Sequence, residues 1–100
     1  MIKKVIQVLP TKDFKVYVYF NDGKIKLYDA SSFAINGTGV FEKISNIEDF
    51  IEKCTVINGT LAWDIGGNFN EWKCIDIDPY QIYEEGIEVS DPLEKSEARR

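Results

Sequence analysis

The chain contains no histidine among its 100 residues. Histidine is the commonest general base near neutral pH, and it activates the nucleophile in Ser/His/Asp and Cys/His sites. Its absence therefore excludes hydrolases that use those arrangements. We expect a protein that is not an enzyme and needs no cofactor. An enzyme that uses carboxylates alone stays an alternative, because paired acids in a cleft cannot be seen in a sequence.

Cysteine and long apolar runs are also scarce. Cys54 and Cys74 lie 20 positions apart without the paired spacing of a zinc site, so we expect reduced thiols that pack as small apolar side chains. No apolar run approaches the ~20 residues of a membrane-spanning helix, and the first ten residues lack the pattern of a secretory signal. We expect a cytoplasmic protein that does not enter a membrane.

The composition is that of one globular domain, with 44% hydrophobic and 29% charged residues. The formal net charge is -5, and residues 51–100 account for -6 against +1 for residues 1–50. An acidic surface repels phosphate backbones, whose binding depends on lysine and arginine. The charge therefore argues against nucleic acid as the first partner and is typical of solubility or of a basic protein partner.

Turn signals between alternating segments predict an antiparallel sheet built from β-hairpins. Residues 2–9 indicate a first strand, and residues 14–20 alternate apolar with polar or aromatic side chains. Asp22-Gly23 fits a two-residue type I′ loop, which would place Phe20 opposite Ile25, Val18 opposite Leu27 and Tyr17 opposite Tyr28.

A second hairpin is predicted at Asn58-Gly59, the strongest two-residue turn signal in the chain. In its register Val56 faces Leu61, and Cys54 lies beside Trp63. After a looser turn at residues 66–68, residues 72–77 predict a further strand that forms a third hairpin.

Helical patterns occupy the segments between and after these strands. Residues 30–38 indicate a loop or a single helical turn, and residues 39–44 a short helix. Ser45 and Glu48 fit the N-cap and N3 positions of a capping box, and an amphipathic helix follows with Ile47, Phe50, Ile51 and Cys54 on one face. Asp78-Pro79 is typical of a helix start and Gly86 of its end, with Ile82 as the buried anchor.

These elements predict an α+β fold: an antiparallel sheet of hairpins, one amphipathic helix packed on it and a short C-terminal helix. We expect a single domain over residues 1–87. Residues 88–100 form a polar tail that we expect to be flexible.

Three groups of residues carry a resemblance to a known family. They are Val16, Val18, Phe20, Asp22 and Gly23; then Gly39, Val40, Phe41 and Ile44; then Trp63, Ile77, Asp78, Pro79 and Tyr83. In this order they resemble the small bacterial family called domain of unknown function 2442, over residues 1–86. The resemblance implies a small α+β domain, which in some relatives is encoded beside another small protein in a toxin–antitoxin-like pair. It implies no catalytic residues, and we expect this protein not to carry the DNA-binding helix-turn-helix domain of longer relatives.

Asp64, Asp76 and Asp78 are weak candidates for a magnesium or calcium site, because these ions prefer oxygen ligands. Asp76 and Asp78 are two positions apart and would share one strand face. Asp78 is already explained as a helix cap, and the spacing is not that of an EF-hand. We therefore expect no metal.

A stripe of aromatic and basic side chains on the predicted sheet is the candidate interaction surface. Its members are Tyr17, Tyr19, Tyr28, Lys15, Lys24 and Lys26. Tyrosine is frequent at the centre of protein interfaces, and tyrosine with lysine can also stack on single-stranded bases. The alternative is that the second half of the chain covers these rings. We expect a protein–protein interaction module that binds another protein or itself as a homodimer, with regulatory nucleic-acid binding as the alternative function.

Overall fold

The computed structural model of the chain describes residues 2–35, 39–66 and 75–93. Within these ranges the chain forms seven strands, three α-helices and one 3₁₀ helix, so the predicted α+β class is confirmed. The strands are β1 (Val5–Pro10), β2 (Lys15–Phe20), β3 (Ile25–Asp29), β4 (Cys54–Ile57), β5 (Thr60–Trp63), β6 (Ile75–Ile77) and β7 (Ile87–Val89). The helices are α1 (Ser31–Ile35), the 3₁₀ helix (Gly39–Ile44), α2 (Ile47–Lys53) and α3 (Pro79–Glu85).

The described strands form two antiparallel sheets, where the sequence predicted one. The first has four strands in the order β1-β2-β3-β7, and the second has three in the order β4-β5-β6. The backbone N–H of Val5 donates to the carbonyl oxygen of Gly59 at 2.8 Å and links the first sheet to the turn of the second.

The β2–β3 turn has three residues, and the predicted register is wrong by one position. The N–H of Phe20 bonds the carbonyl oxygen of Lys24, and the N–H of Gly23 bonds that of Phe20. Asn21, Asp22 and Gly23 therefore form a type I turn that ends in a left-handed glycine, with a φ of 91° at Gly23. The observed pairs are Tyr19 with Ile25, Val18 with Lys26, Tyr17 with Leu27 and Val16 with Tyr28.

The β4–β5 hairpin confirms the predicted two-residue turn. Asn58 and Gly59 have φ values of 52° and 72°, the two positive angles that a type I′ turn needs. The predicted pairs of Val56 with Leu61 and of Cys54 with Trp63 are both present. β6 pairs antiparallel with β5 as expected, whereas the predicted turn at residues 66–68 and the strand residues 72–74 extend outside the described residues.

The start of α2 corrects the predicted capping box. Asn46 is the N-cap, and its side-chain oxygen accepts the N–H of Glu48 at 2.8 Å. Ser45 instead donates its hydroxyl to the carbonyl oxygen of Glu42 in the preceding 3₁₀ helix. Phe50 is fully buried as predicted, but Ile51 is 37% exposed and does not belong to the packed face.

α3 begins and ends where the sequence predicts. Asp78 caps it by accepting the N–H of Tyr80, Pro79 is the first helical residue, and Ile82 is buried. Gly86 follows the last turn with a negative φ, so its conformation does not require glycine. Glycine is needed there for lack of space, because a Cβ would lie 2.8 Å from the carbonyl oxygen of Ile82 and 2.9 Å from the Cβ of Lys26.

One core joins the two sheets. The ring of Phe50 lies 5.0 Å from that of Phe14, which directly precedes β2 of the first sheet, and 5.3 Å from that of Trp63 in the second. The indole N–H of Trp63 donates to the carbonyl oxygen of Phe50 at 3.1 Å, which satisfies the polar atom of a fully buried side chain.

The predicted tail boundary at residue 88 is too early. Ile87–Val89 pair with β3, and the described chain continues to residue 93. The predicted flexibility of the tail concerns residues 94–100, which lie outside the described residues. None of the helices in the described residues has the length and apolar character that crossing a membrane would take.

Candidate interaction surface

The register divides the six residues of the predicted stripe between the two faces of the first sheet. Tyr17 and Tyr19 lie on the face away from the core, which alternation along β2 also assigns to Lys15. Placing Tyr28 with them was wrong, because Tyr28 pairs with Val16 and is buried in the core at 5% exposure.

Lys24 and Lys26 belong with Tyr28 on the opposite face, and both have partners there. The ammonium of Lys24 lies 3.4 Å from a carboxylate oxygen of Glu88. That of Lys26 lies 4.7 Å from the ring centre of Tyr83, within cation–π range. The structure therefore does not bring the lysines and tyrosines together as one basic, aromatic surface.

The register instead creates an apolar surface that the sequence analysis did not find. We define the outer face as two rows of side chains that cross all four strands of the first sheet. They are Leu9, Tyr17, Leu27 and Ile87 in one row, and Gln7, Tyr19, Ile25 and Val89 in the other. Seven of these eight side chains are apolar or aromatic, which is unusual for a sheet face that does not join the core.

Most of the outer face is partly open to solvent. Ile87 is 68% exposed, while Leu9, Tyr17, Ile25, Leu27 and Val89 are half-buried. A contiguous apolar patch on a small protein typically marks a site of interaction with another macromolecule.

Tyr19 is the best covered member of the outer face, at 9% exposure. Its hydroxyl donates to a carboxylate oxygen of Asp91 at 2.7 Å. Burial, together with this bond and the negative charge of Asp91, raises the pKa of Tyr19, so the ring stays neutral. Asp91 also accepts the N–H of Leu93, and its bond with Tyr19 holds the chain beyond β7 against the outer face.

The weak metal candidates are only partly brought together. Asp76 and Asp78 line one open cavity of about 370 Å³ beside the β4–β5 turn. Asp64 does not line it; its backbone N–H bonds the carbonyl oxygen of Lys53 at the other end of β5. Among the described residues, no three side chains of the metal-binding types come together as a site.

Comparison with known proteins identifies a family and leaves the activity open. A family model described as protein of unknown function (DUF2442) matches residues 5–88. The chain belongs to the DUF2442 family. No curated protein and no solved structure matches it.

The DUF2442 match extends over the whole of the first sheet except the last residue of β7. It therefore includes almost all of the outer face. The signal that could have revealed this face is Asn21-Asp22-Gly23, if it is interpreted as a three-residue turn. That reading moves Ile25 and Leu27 to the side of Tyr17 and Tyr19.

Proposed function

We propose that this DUF2442 protein is a small non-enzymatic protein–protein interaction module and that the outer face is its contact surface. The observation that carries the proposal is the continuity of apolar side chains across four strands on the side away from the core. Tyr17, half-buried on an inner strand of this face, supplies contact area at a low cost in conformational entropy. The absence of histidine supports a role without hydrolytic chemistry.

The proposed partner is another small protein, encoded beside this one as in some relatives. A net charge of -5 favours a partner with basic residues around its own apolar contact. We also propose a cytoplasmic location, which Cys54 supports because it forms no disulfide within the described residues and reduced cysteines are typical of that compartment.

Nucleic-acid binding, the alternative expected from the sequence, required the lysines and tyrosines on one surface. Lys24 and Lys26 lie on the other face of the sheet from Tyr17 and Tyr19. Nucleic-acid binding therefore loses the shared lysine and tyrosine surface on which it depended. It stays a prediction, which co-purification also tests.

The test is native co-purification from source cells with two variants of equal charge change. Leu27→Lys places a cation at the centre of the outer face, whereas Glu52→Gln removes one negative charge from the exposed side of α2. We expect the wild type and Glu52→Gln to retain one protein and Leu27→Lys to retain at least about tenfold less.

Circular dichroism spectra must show that both variants fold. Equal retention by the two variants contradicts the proposal. So does a wild-type complex in which nucleic acid is the bound species and dissociates as salt rises.

A further inference from the structure

Among the described residues, β7 is the unprotected edge of the four-stranded sheet, and β1 is the protected one. β1 carries a register irregularity between Val5 and Gln7, ends at Pro10, and donates the Val5 N–H to the second sheet. Bulges and proline are common devices that stop an edge from pairing. β7 contains neither device, and among the described strands it pairs with β3 alone.

The backbone groups that β7 offers at this edge belong to Glu88. Phe20 and Lys24 form a hydrogen-bonded pair, and such pairs alternate along an antiparallel ladder. Lys26 therefore bonds towards β2, while Ile25 and Leu27 bond towards β7. The N–H and carbonyl of Ile87 and Val89 point to β3, and those of Glu88 point outward.

We propose that two copies of this protein pair through β7, antiparallel about a two-fold axis at Glu88. Two Glu88 residues then exchange both of their outward backbone hydrogen bonds, and Ile87 of each copy lies opposite Val89 of the other. The row of Tyr17, Leu27 and Ile87 continues into Val89, Ile25 and Tyr19 of the second copy. The two outer faces become one apolar surface across eight strands.

Charge also permits a second copy at this edge. Two glutamates meeting on neighbouring strands would repel each other if they were alone. Each Glu88 has the ammonium of Lys24 at 3.4 Å, and Lys26 is its direct partner on β3. At the paired edge each carboxylate therefore keeps the ammonium of its own Lys24, which reduces the repulsion between the two glutamates.

This inference rests on the proposed function, because self-association is itself a protein–protein interaction that extends the outer face, and it names the strand that makes the contact. An edge of three residues gives a small interface, at the weak end of specific association. The dimer should therefore be reversible and depend on protein concentration.

Sedimentation of the purified full chain from about 10 µM to about 1 mM tests the proposal. Glu88→Pro removes the outward N–H and leaves the bonds to β3 in place, whereas Glu88→Gln keeps the N–H and removes the charge. We expect reversible dimers for the wild type and Glu88→Gln, and a dimer dissociation constant at least about tenfold higher for Glu88→Pro.

Ile87→Lys is a second variant that does not disturb folding, since this side chain is 68% exposed in the monomer. It should weaken the dimer by placing an ammonium opposite Val89 of the other copy. A wild type that stays monomeric throughout, or variants that dimerise as well as Glu88→Gln, would overturn the inference. Co-purification with Leu27→Lys is a separate readout: a wild type that retains its partner protein but does not self-associate contradicts the pairing and leaves the proposed function standing.

Discussion

At the scale of single residues, Asp22 and Tyr83 hold α3 against the β2–β3 turn. The hydroxyl of Tyr83 donates to a carboxylate oxygen of Asp22 at 2.8 Å, and its ring packs edge-on against Phe20 at 5.0 Å. The ammonium of Lys3 lies 4.0 Å from the ring centre. The backbone N–H of Lys24, followed by the hydroxyl of Tyr83, holds the pKa of Asp22 below its ordinary value of 3.8.

Removing this hydroxyl should raise the pKa of Asp22. In Tyr83→Phe we expect it to move towards 3.8 without reaching it, because the bond from Lys24 remains. A carboxyl with a lowered folded-state pKa stabilises the fold above its unfolded pKa, and that stability is lost as the pH falls through the folded pKa. The variant should therefore lose less stability than the wild type when the pH falls below 3.8.

Carbon-13 NMR titration of the Asp22 carboxyl measures this change directly. Tyr80→Phe is the matched control, since its hydroxyl accepts the N–H of Lys3 at 3.4 Å and does not contact Asp22. An Asp22 pKa that is the same in Tyr83→Phe and in the wild type would show that the hydroxyl has no role.

Tyr28 illustrates the limit of alternation as a guide to single residues. Alternation along β2 correctly divides Val16 and Val18 from Tyr17 and Tyr19, because one strand needs no knowledge of its neighbours. The face of Tyr28 depends on the loop, and Asn21, Asp22 and Gly23 are compatible with two-residue and three-residue turns alike. A one-residue change in loop length reverses every side chain of β3.

At the scale of elements, Ser45 and Asn46 are both residue types that cap helices, but only Asn46 caps α2. Asn46→Ala should lower the free energy of unfolding by about 1 kcal/mol, because the N–H of Glu48 loses its acceptor. Ser45→Ala should cost less than about half of that, because its hydroxyl only bonds the end of the 3₁₀ helix at an exposed site. Urea unfolding followed by circular dichroism measures both. A Ser45→Ala cost equal to that of Asn46→Ala would favour the cap predicted from sequence.

Elements with their own local signal were predictable, and those that depend on a partner strand were not. Asn58 and Gly59 favour positive φ angles whatever strands lie beside them. Asp78 and Pro79 likewise favour a helix start without help from a neighbouring element. β7 has three residues and no turn signal, so its strand conformation comes from pairing with β3. The outer face shares this dependence, because it exists only once β3 and β7 are in register.

At the scale of the whole molecule, the two sheets share a core and should unfold together. Val5, Val18 and Phe20 of the first sheet belong to the same buried cluster as Leu61 and Trp63 of the second. A small domain with one continuous core usually unfolds in a single cooperative step. Separate cores would give each sheet its own stability.

Native-state hydrogen exchange with Phe50→Leu tests this cooperativity. Phe50 contacts Phe14 on one side and Trp63 on the other, so a smaller side chain should destabilise both sheets by the same amount, about 1–2 kcal/mol. The slowest amides of β2 and β5 should give the same free energy of opening in the wild type. In the variant this value should be lower, and it should again be the same in both strands. Amides of the five-residue α1 should exchange faster through local fraying and change little. If only the β5 amides respond to the substitution, the second sheet opens independently and the single core is an incorrect description.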